Sequence, residues 1–189
     1  MDDSDIRVDH GLSLTTHEKL RTVVLGDIVT GYADAIWSVG LRYALNNPRL
    51  PVNIIIRSDG GDVFEAISIT SAMRDIRSML LPGVHIIGSV HGNAMSGASY
   101  VLQWCDLRYA VPTSMLMVHG ITQRSLQLDE RDAERNLELL KYLRSVLAVK
   151  YTERSKRPRE YWDEVLQSNS PRYFTAVEAL DVGLIDEIK

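Results

Sequence analysis

Apolar residues along this chain switch between two spacings. Dense β-branched or apolar runs at 22–25, 52–56 and 84–90 have the length of strands, and Val52 to Ile56 suits a strand buried on both faces. Between them Ile36, Val39 and Tyr43, with Ala35 and Leu45 less regularly, recur at helical spacing from Tyr32 to Asn46, where Asn46-Asn47-Pro48 stops the helix. A second helix follows the polar break Ser58-Asp59-Gly60-Gly61-Asp62. It carries Ile69, Met73, Ile76 and Leu80 on one stripe and ends at Pro82-Gly83. The order strand, helix, strand, helix, strand predicts an α/β chain with parallel strands and right-handed crossovers. Functional residues of such sheets stand on loops after the carboxyl ends of the strands.

The second half continues the alternation. A helix of small and apolar residues opens after Ser96, and Leu107 to Ala110 and Met115 to Val118 read as short strands. A long charged helix runs from about Asp129 to Tyr151, with Leu137, Leu140, the aliphatic stem of Arg144, and Leu147 as its apolar stripe. Another starts at Pro158, a residue tolerated in a first helical turn, and carries Trp162, Val165 and Leu166. Thr175-Ala176-Val177-Glu178 has the form of a capping box that opens a short last helix; Gly183 ends it and Leu184 to Ile188 adds a strand. The first 21 residues lack a sustained apolar period. The expected organisation is a mobile arm at 1–21 followed by a single domain at 22–189.

Composition narrows the class. With 45% hydrophobic residues in 189, the chain has enough apolar side chains for a real core. A net charge of −4 argues against a nucleic-acid surface. The basic run from Arg154 to Arg159, broken by Ser155 and Pro158, reads as a solvated loop or helix start. One cysteine, Cys105, excludes an intrachain disulfide. Its neighbours Trp104 and Leu107 suit a small buried apolar residue better than a reactive thiol. Met1 to Asp9 is acidic and polar, so no secretory leader is expected there, and no apolar run approaches the ~20 residues of a membrane span. The expectation is a soluble, cytoplasmic protein with no membrane or nucleic-acid partner. The five histidines show no metal-ligand spacing, so neither a metal nor another cofactor is expected.

Three segments that each follow an expected strand carry the candidate chemistry. Gly60-Gly61 allows a positive-φ turn whose N–H groups reach an oxyanion or a peptide carbonyl; an ordinary tight turn has the same sequence. In Gly92-Asn93-Ala94-Met95-Ser96-Gly97-Ala98-Ser99, small residues surround Ser96 at a strand-to-helix junction, where free N–H groups favour developing negative charge. The Gly97 N–H is the natural second oxyanion donor. Ser96 also has an alternative reading as a plain helix cap, and Ser99 is a rival nucleophile about one turn further in. In Met115-Leu116-Met117-Val118-His119-Gly120, a histidine follows an apolar strand. A serine hydroxyl needs such a base, because it is barely ionised at neutral pH. His91 competes for that role. Each motif is weak singly; the three in this order are far more specific.

On these residues the chain resembles the Clp protease family from about Thr22 to Ile188. Ser58-Asp59-Gly60-Gly61 is similar to its Ser-Pro-Gly-Gly turn. Gly92 to Ala98 is similar to its Gly-x-Ala-x-Ser-Met-Gly-Ala segment, with the serine at Ser96, and Met117-Val118-His119 to its Met-Ile-His. Glu178-Ala179 with Gly183-Leu184-Ile185-Asp186 is similar to its closing stretch. The resemblance implies a crotonase-like α/β fold of repeated β-β-α units with a protruding long-helix handle. It implies an ATP-dependent serine endopeptidase, with Ser96 as nucleophile, His119 as base, and Gly61 and Gly97 forming the oxyanion hole. Homo-oligomeric, heptameric rings enclosing a chamber, polypeptide substrates and an ATP-driven AAA+ unfoldase as partner belong to the same implication.

The departures are informative. The family's third catalytic residue is an aspartate just before an Arg-aromatic pair; here the pair is Arg172-Tyr173 and Pro171 holds the aspartate's place. Asn169 is the chosen substitute, since an amide oxygen can hold a histidine tautomer, with Ser170, Asp163 and Asp181 as further candidates. The stretch Gly120-Ile121-Thr122-Gln123-Arg124 lacks the usual proline and glycines, and Gly97 stands where methionine is usual. Two other readings follow: a catalytically impaired or inactive ring subunit, motivated by Pro171, and a crotonase-like enzyme acting on acyl-CoA.

Overall fold

The computed structural model describes residues 6–9, 14–121, 132–168 and 170–189. In chain order the elements are β1 (Ile6–Asp9), β2 (Leu14–His17), β3 (Thr22–Leu25), α1 (Tyr32–Asn46), β4 (Val52–Ser58), α2 (Val63–Met79), β5 (Ile86–Met95), α3 (Gly97–Leu102), β6 (Leu107–Ala110), β7 (Met115–Val118), α4 (Ala133–Arg154), α5 (Arg159–Gln167), β8 (Arg172–Thr175), α6 (Ala176–Val182) and β9 (Glu187–Ile188).

The sheet order is β1-β2-β3-β4-β5-β6-β9, with β7 beside β5 and β8 beside β7. Strands β3, β4, β5 and β6 pair in parallel, as the alternation with helices requires, whereas β1-β2 and β2-β3 are antiparallel. Two strands thus lie within the stretch 1–21, and β2 extends the sheet beyond β3. The run at 52–56 is corrected in one respect. Val52, Ile54 and Ile56 are buried while Asn53 and Ile55 are only half-buried, so β4 alternates and a single face is closed.

The core joins Tyr32, Ile36 and Tyr43 of α1 to Ile69, Met73 and Ile76 of α2 and to the β-branched residues of β4 and β5. Leu45, expected on the α1 stripe, is exposed; Ala44 takes the inward place. In α4 the inward set is Leu140, Leu143, Leu147, Ala148 and Tyr151. Leu137 faces solvent, while its neighbour Asn136 is the buried residue of the first turn. The expected start of this helix at 129–131 lies outside the described residues. Trp162 of α5 is fully buried and stacks on Tyr151, ring centroids 4.9 Å apart, which locks α5 against α4.

Other expectations find their place. Thr175 and Glu178 form the capping box reciprocally, and Gly183 closes α6 in the left-handed region. Cys105 is buried, and desolvation pushes its thiol up to about 12, so it behaves as a packed apolar group. The basic run is engaged in local structure. Arg154 donates to the Cys105 and Asp106 carbonyls, Arg157 pairs with Asp181 and Arg159 with Asp163.

Candidate active site

Strand β5 organises the site by changing partners along its length. Its first half pairs with β6 at 87–90, and its last residues pair with β7, Asn93 with Met115 through Met95 with Met117. Gly92, with φ 114°, sits between the two pairings. The Ser96 N–H then donates to the Met117 carbonyl at 2.8 Å, which brings the end of β5 alongside the end of β7. Ser96 and His119, 23 residues apart in sequence, meet for this reason: His119 Nε2 lies 2.8 Å from Ser96 Oγ.

Ser96 has φ 54° and ψ −124°, outside the regions open to an ordinary side chain. Such a conformation costs about 1–3 kcal/mol and persists only where the surroundings over-determine it. Here the surroundings are the small residues of the segment and the turn after β4. A Cβ on Gly60 would lie 2.7 Å from Ser96 Cβ. Gly61, at φ 145°, bridges Ile28; a Cβ there would lie 2.0 Å from the Ile28 carbonyl oxygen, so no other residue fits. Gly97 is the first residue of α3, where an N–H has no acceptor within its own helix. Gly61 and Gly97 line one cavity together with Ser96 and His119.

That cavity has a volume of about 130 Å³. Its walls are Val63, Ala66, Tyr100, Ile121, Leu147 and Tyr151, so apolar side chains of α2, α3 and α4 surround the hydroxyl. Ser99 is completely buried and hydrogen-bonded, which removes it as a rival nucleophile. Among the described residues, no three His, Cys, Asp or Glu side chains converge in a way that could hold a metal ion.

The other imidazole nitrogen is held by backbone. His119 Nδ1 lies 2.7 Å from the Gly120 carbonyl oxygen. A carbonyl only accepts, so Nδ1 carries the proton and Nε2 is left to accept from Ser96. Gly120 is packed against the last turn of α5, where a Cβ would come 2.2 Å from the Leu166 carbonyl oxygen. Asn169, expected to orient the imidazole, lies outside the described residues, as do Thr122, Gln123 and Arg124. Asp163 and Asp181 are engaged by Arg159 and Arg157.

Beside the site, sequence reasoning missed β8. It pairs antiparallel with β7, and the ladder ends at Val118 opposite Arg172, so His119 and Pro171 each adjoin that last pair in sequence. The segment Arg172-Tyr173-Phe174-Thr175 buries only Phe174. Four residues with one inward side chain leave no alternation to detect; only the antiparallel partner defines the strand.

Among the described residues no helix is long and apolar enough to cross a membrane. A family model described as Clp protease matches residues 13–189. With a match over nearly the whole chain, the protein belongs to the Clp protease family, a family of serine peptidases.

Proposed function

We propose that the protein is a serine endopeptidase in which Ser96 is the nucleophile and His119 its general base. The observation that carries this reading is the 2.8 Å contact between Ser96 Oγ and His119 Nε2 at the mouth of an apolar cavity. As Ser96 Oγ bonds to the scissile carbonyl carbon, its proton passes to Nε2. The carbonyl oxygen gains the negative charge, and the Gly61 and Gly97 N–H groups stabilise it. The imidazolium then protonates the leaving amine, and a water activated by His119 hydrolyses the acyl-enzyme. The Gly120 carbonyl keeps the proton on Nδ1 in the resting enzyme, which is the orienting part of a triad carboxylate's role without its negative charge.

The cavity suits one medium-sized apolar side chain, since an apolar cavity of about 150 Å³ accepts benzene. The reading therefore includes cleavage after residues such as leucine or methionine. It extends to a homo-oligomeric ring fed with unfolded polypeptide by an ATP-driven unfoldase, as the family resemblance implies. The exposed Leu137, Tyr142 and Val149 of α4 are apolar surface that such packing would cover.

The test is labelling of the purified protein with a fluorophosphonate and hydrolysis of fluorogenic peptides, beside Ser96→Ala. Labelling and turnover that vanish in Ser96→Ala are expected. Absence of both in the wild type, under conditions where a Ser-His control reacts, would overturn the reading. Pro171 favours a second one, a ring subunit with an impaired site; it predicts assembly without turnover.

A further inference from the structure

The nucleophile's own carbonyl is held from beneath by two buried hydroxyls. Ser99 Oγ lies 2.7 Å from the Ser96 carbonyl oxygen and 2.7 Å from the Tyr151 hydroxyl. The directions of these bonds are forced. A carbonyl cannot donate, so the Ser99 proton goes to Ser96, and Tyr151 must then donate to Ser99. Burial pushes the Tyr151 phenol well above its usual range, which keeps it protonated and a donor. The backbone N–H groups of Ser99 and Tyr100 reach the same oxygen at 3.0 and 3.3 Å. Tyr151 is fixed in turn by its stack on Trp162.

The Ser96 C=O and the Gly97 N–H are opposite ends of one planar trans peptide unit. Whatever holds the oxygen therefore aims the N–H in the opposite direction. Donors on the oxygen also polarise the unit, and a polarised N–H is a stronger donor. We propose that Ser99 and Tyr151 are positioning residues for the oxyanion hole, acting through the Ser96–Gly97 peptide to hold and polarise the Gly97 N–H. The inference rests on the serine peptidase reading and gives α4 a role in catalysis beyond walling the cavity, through a hydroxyl that acts on the Gly97 N–H by way of Ser99.

The experiment compares Ser99→Ala, Tyr151→Phe and the double variant with wild type. It measures peptide hydrolysis and inhibition by a peptide aldehyde, whose hemiacetal oxygen occupies the oxyanion site. Removing a whole oxyanion donor costs roughly 10²–10³ in kcat, and misaiming one costs less. Ser99→Ala should lower kcat about 10–100-fold with KM within about threefold, and aldehyde affinity should fall in parallel with kcat. Tyr151→Phe should lower kcat about 3–10-fold, since Ser99 still donates. The double variant should match Ser99→Ala, because the phenol acts only through Ser99.

A role in packing alone would instead move melting temperature while leaving kcat and aldehyde affinity together at wild-type values. That result, or multiplicative effects in the double variant, overturns the inference. If Ser99→Ala does not fold, Tyr151→Phe decides the matter by the same two readouts. Ser96→Ala separates the failures. Activity that survives in Ser96→Ala removes the peptidase reading and this inference with it. Activity lost in Ser96→Ala but unchanged in Ser99→Ala and Tyr151→Phe removes the inference alone.

Discussion

The two halves of the candidate site are built differently. The half that carries Ser96 lies at the middle of the sheet, where β5 has β4 on one side and β6 then β7 on the other. Its turn glycines touch Ser96 and Ile28, its serine N–H is tied to β7, and its carbonyl is tied to α3 and α4. The histidine half hangs from the end of β7, beside the short β8. There the imidazole is oriented by its neighbour's carbonyl and by the close approach of Gly120 to α5. A serine in a strained backbone conformation needs many independent constraints, and the sheet centre supplies them. An imidazole needs only one acceptor on its far nitrogen, which a backbone carbonyl can be.

The largest expected effect breaks the first half outright. Ser96→Ala should lower kcat by at least about 10⁴-fold, read by peptide hydrolysis, because the covalent route is gone. Gly61→Ala comes next. The added methyl meets the Ile28 carbonyl and the backbone is at a positive φ, so activity should fall at least about 100-fold and the melting temperature should drop as well. The histidine half should respond in the opposite direction. Pro171→Asp puts a carboxylate next to the last β7–β8 pair, in which Val118 is the residue before His119, and should raise kcat by about 10–100-fold, part of the 10⁴ that a triad aspartate contributes elsewhere. A fall in kcat in this variant would mean that the proline, rather than a missing charge, matters at that strand edge.

The smallest effect lies outside both halves and serves as a control. Burial by itself would raise the Asp186 carboxyl, but hydrogen bonds and charge from Arg108 overcome this and hold it below the usual value. A folded-state value below the unfolded one means that the unfolded chain binds more protons. The stabilisation is therefore complete above the ordinary carboxylate range and is lost as pH falls through the lowered value. Asp186→Asn should lower stability at neutral pH, with a smaller deficit in acid, as read by urea unfolding at pH 7 and pH 3. It should leave kcat within about twofold, since the pair ties β9 to β6 at the sheet edge, away from the cavity.

Helix α1, strands β3, β6 and β7, and the α6 capping box were legible because their signals are local: apolar period, β-branched runs, and a Thr-to-Glu spacing of three. The family resemblance rested on such local signals too: the diglycine turn, the small residues around Ser96 and the strand-end His119. Burial was less legible. Leu45 and Leu137 fit a helical period yet face solvent, since a period says which residues share a face and not where the neighbouring element ends.

The sequence by itself determined the alternation of strands and helices from β3 to β7, the parallel pairing of β3 to β6, the helices that follow and the three motifs, because each is encoded within a few residues. Only the tertiary structure decided which of these motifs touch. The Ser96–His119 contact depends on β5 exchanging β6 for β7. The position of Pro171 depends on the antiparallel partner of a strand with one buried side chain. The Ser99–Tyr151 support joins residues 52 apart. Contacts of this kind arise from strand pairing and helix packing across the whole chain, and no local pattern specifies them.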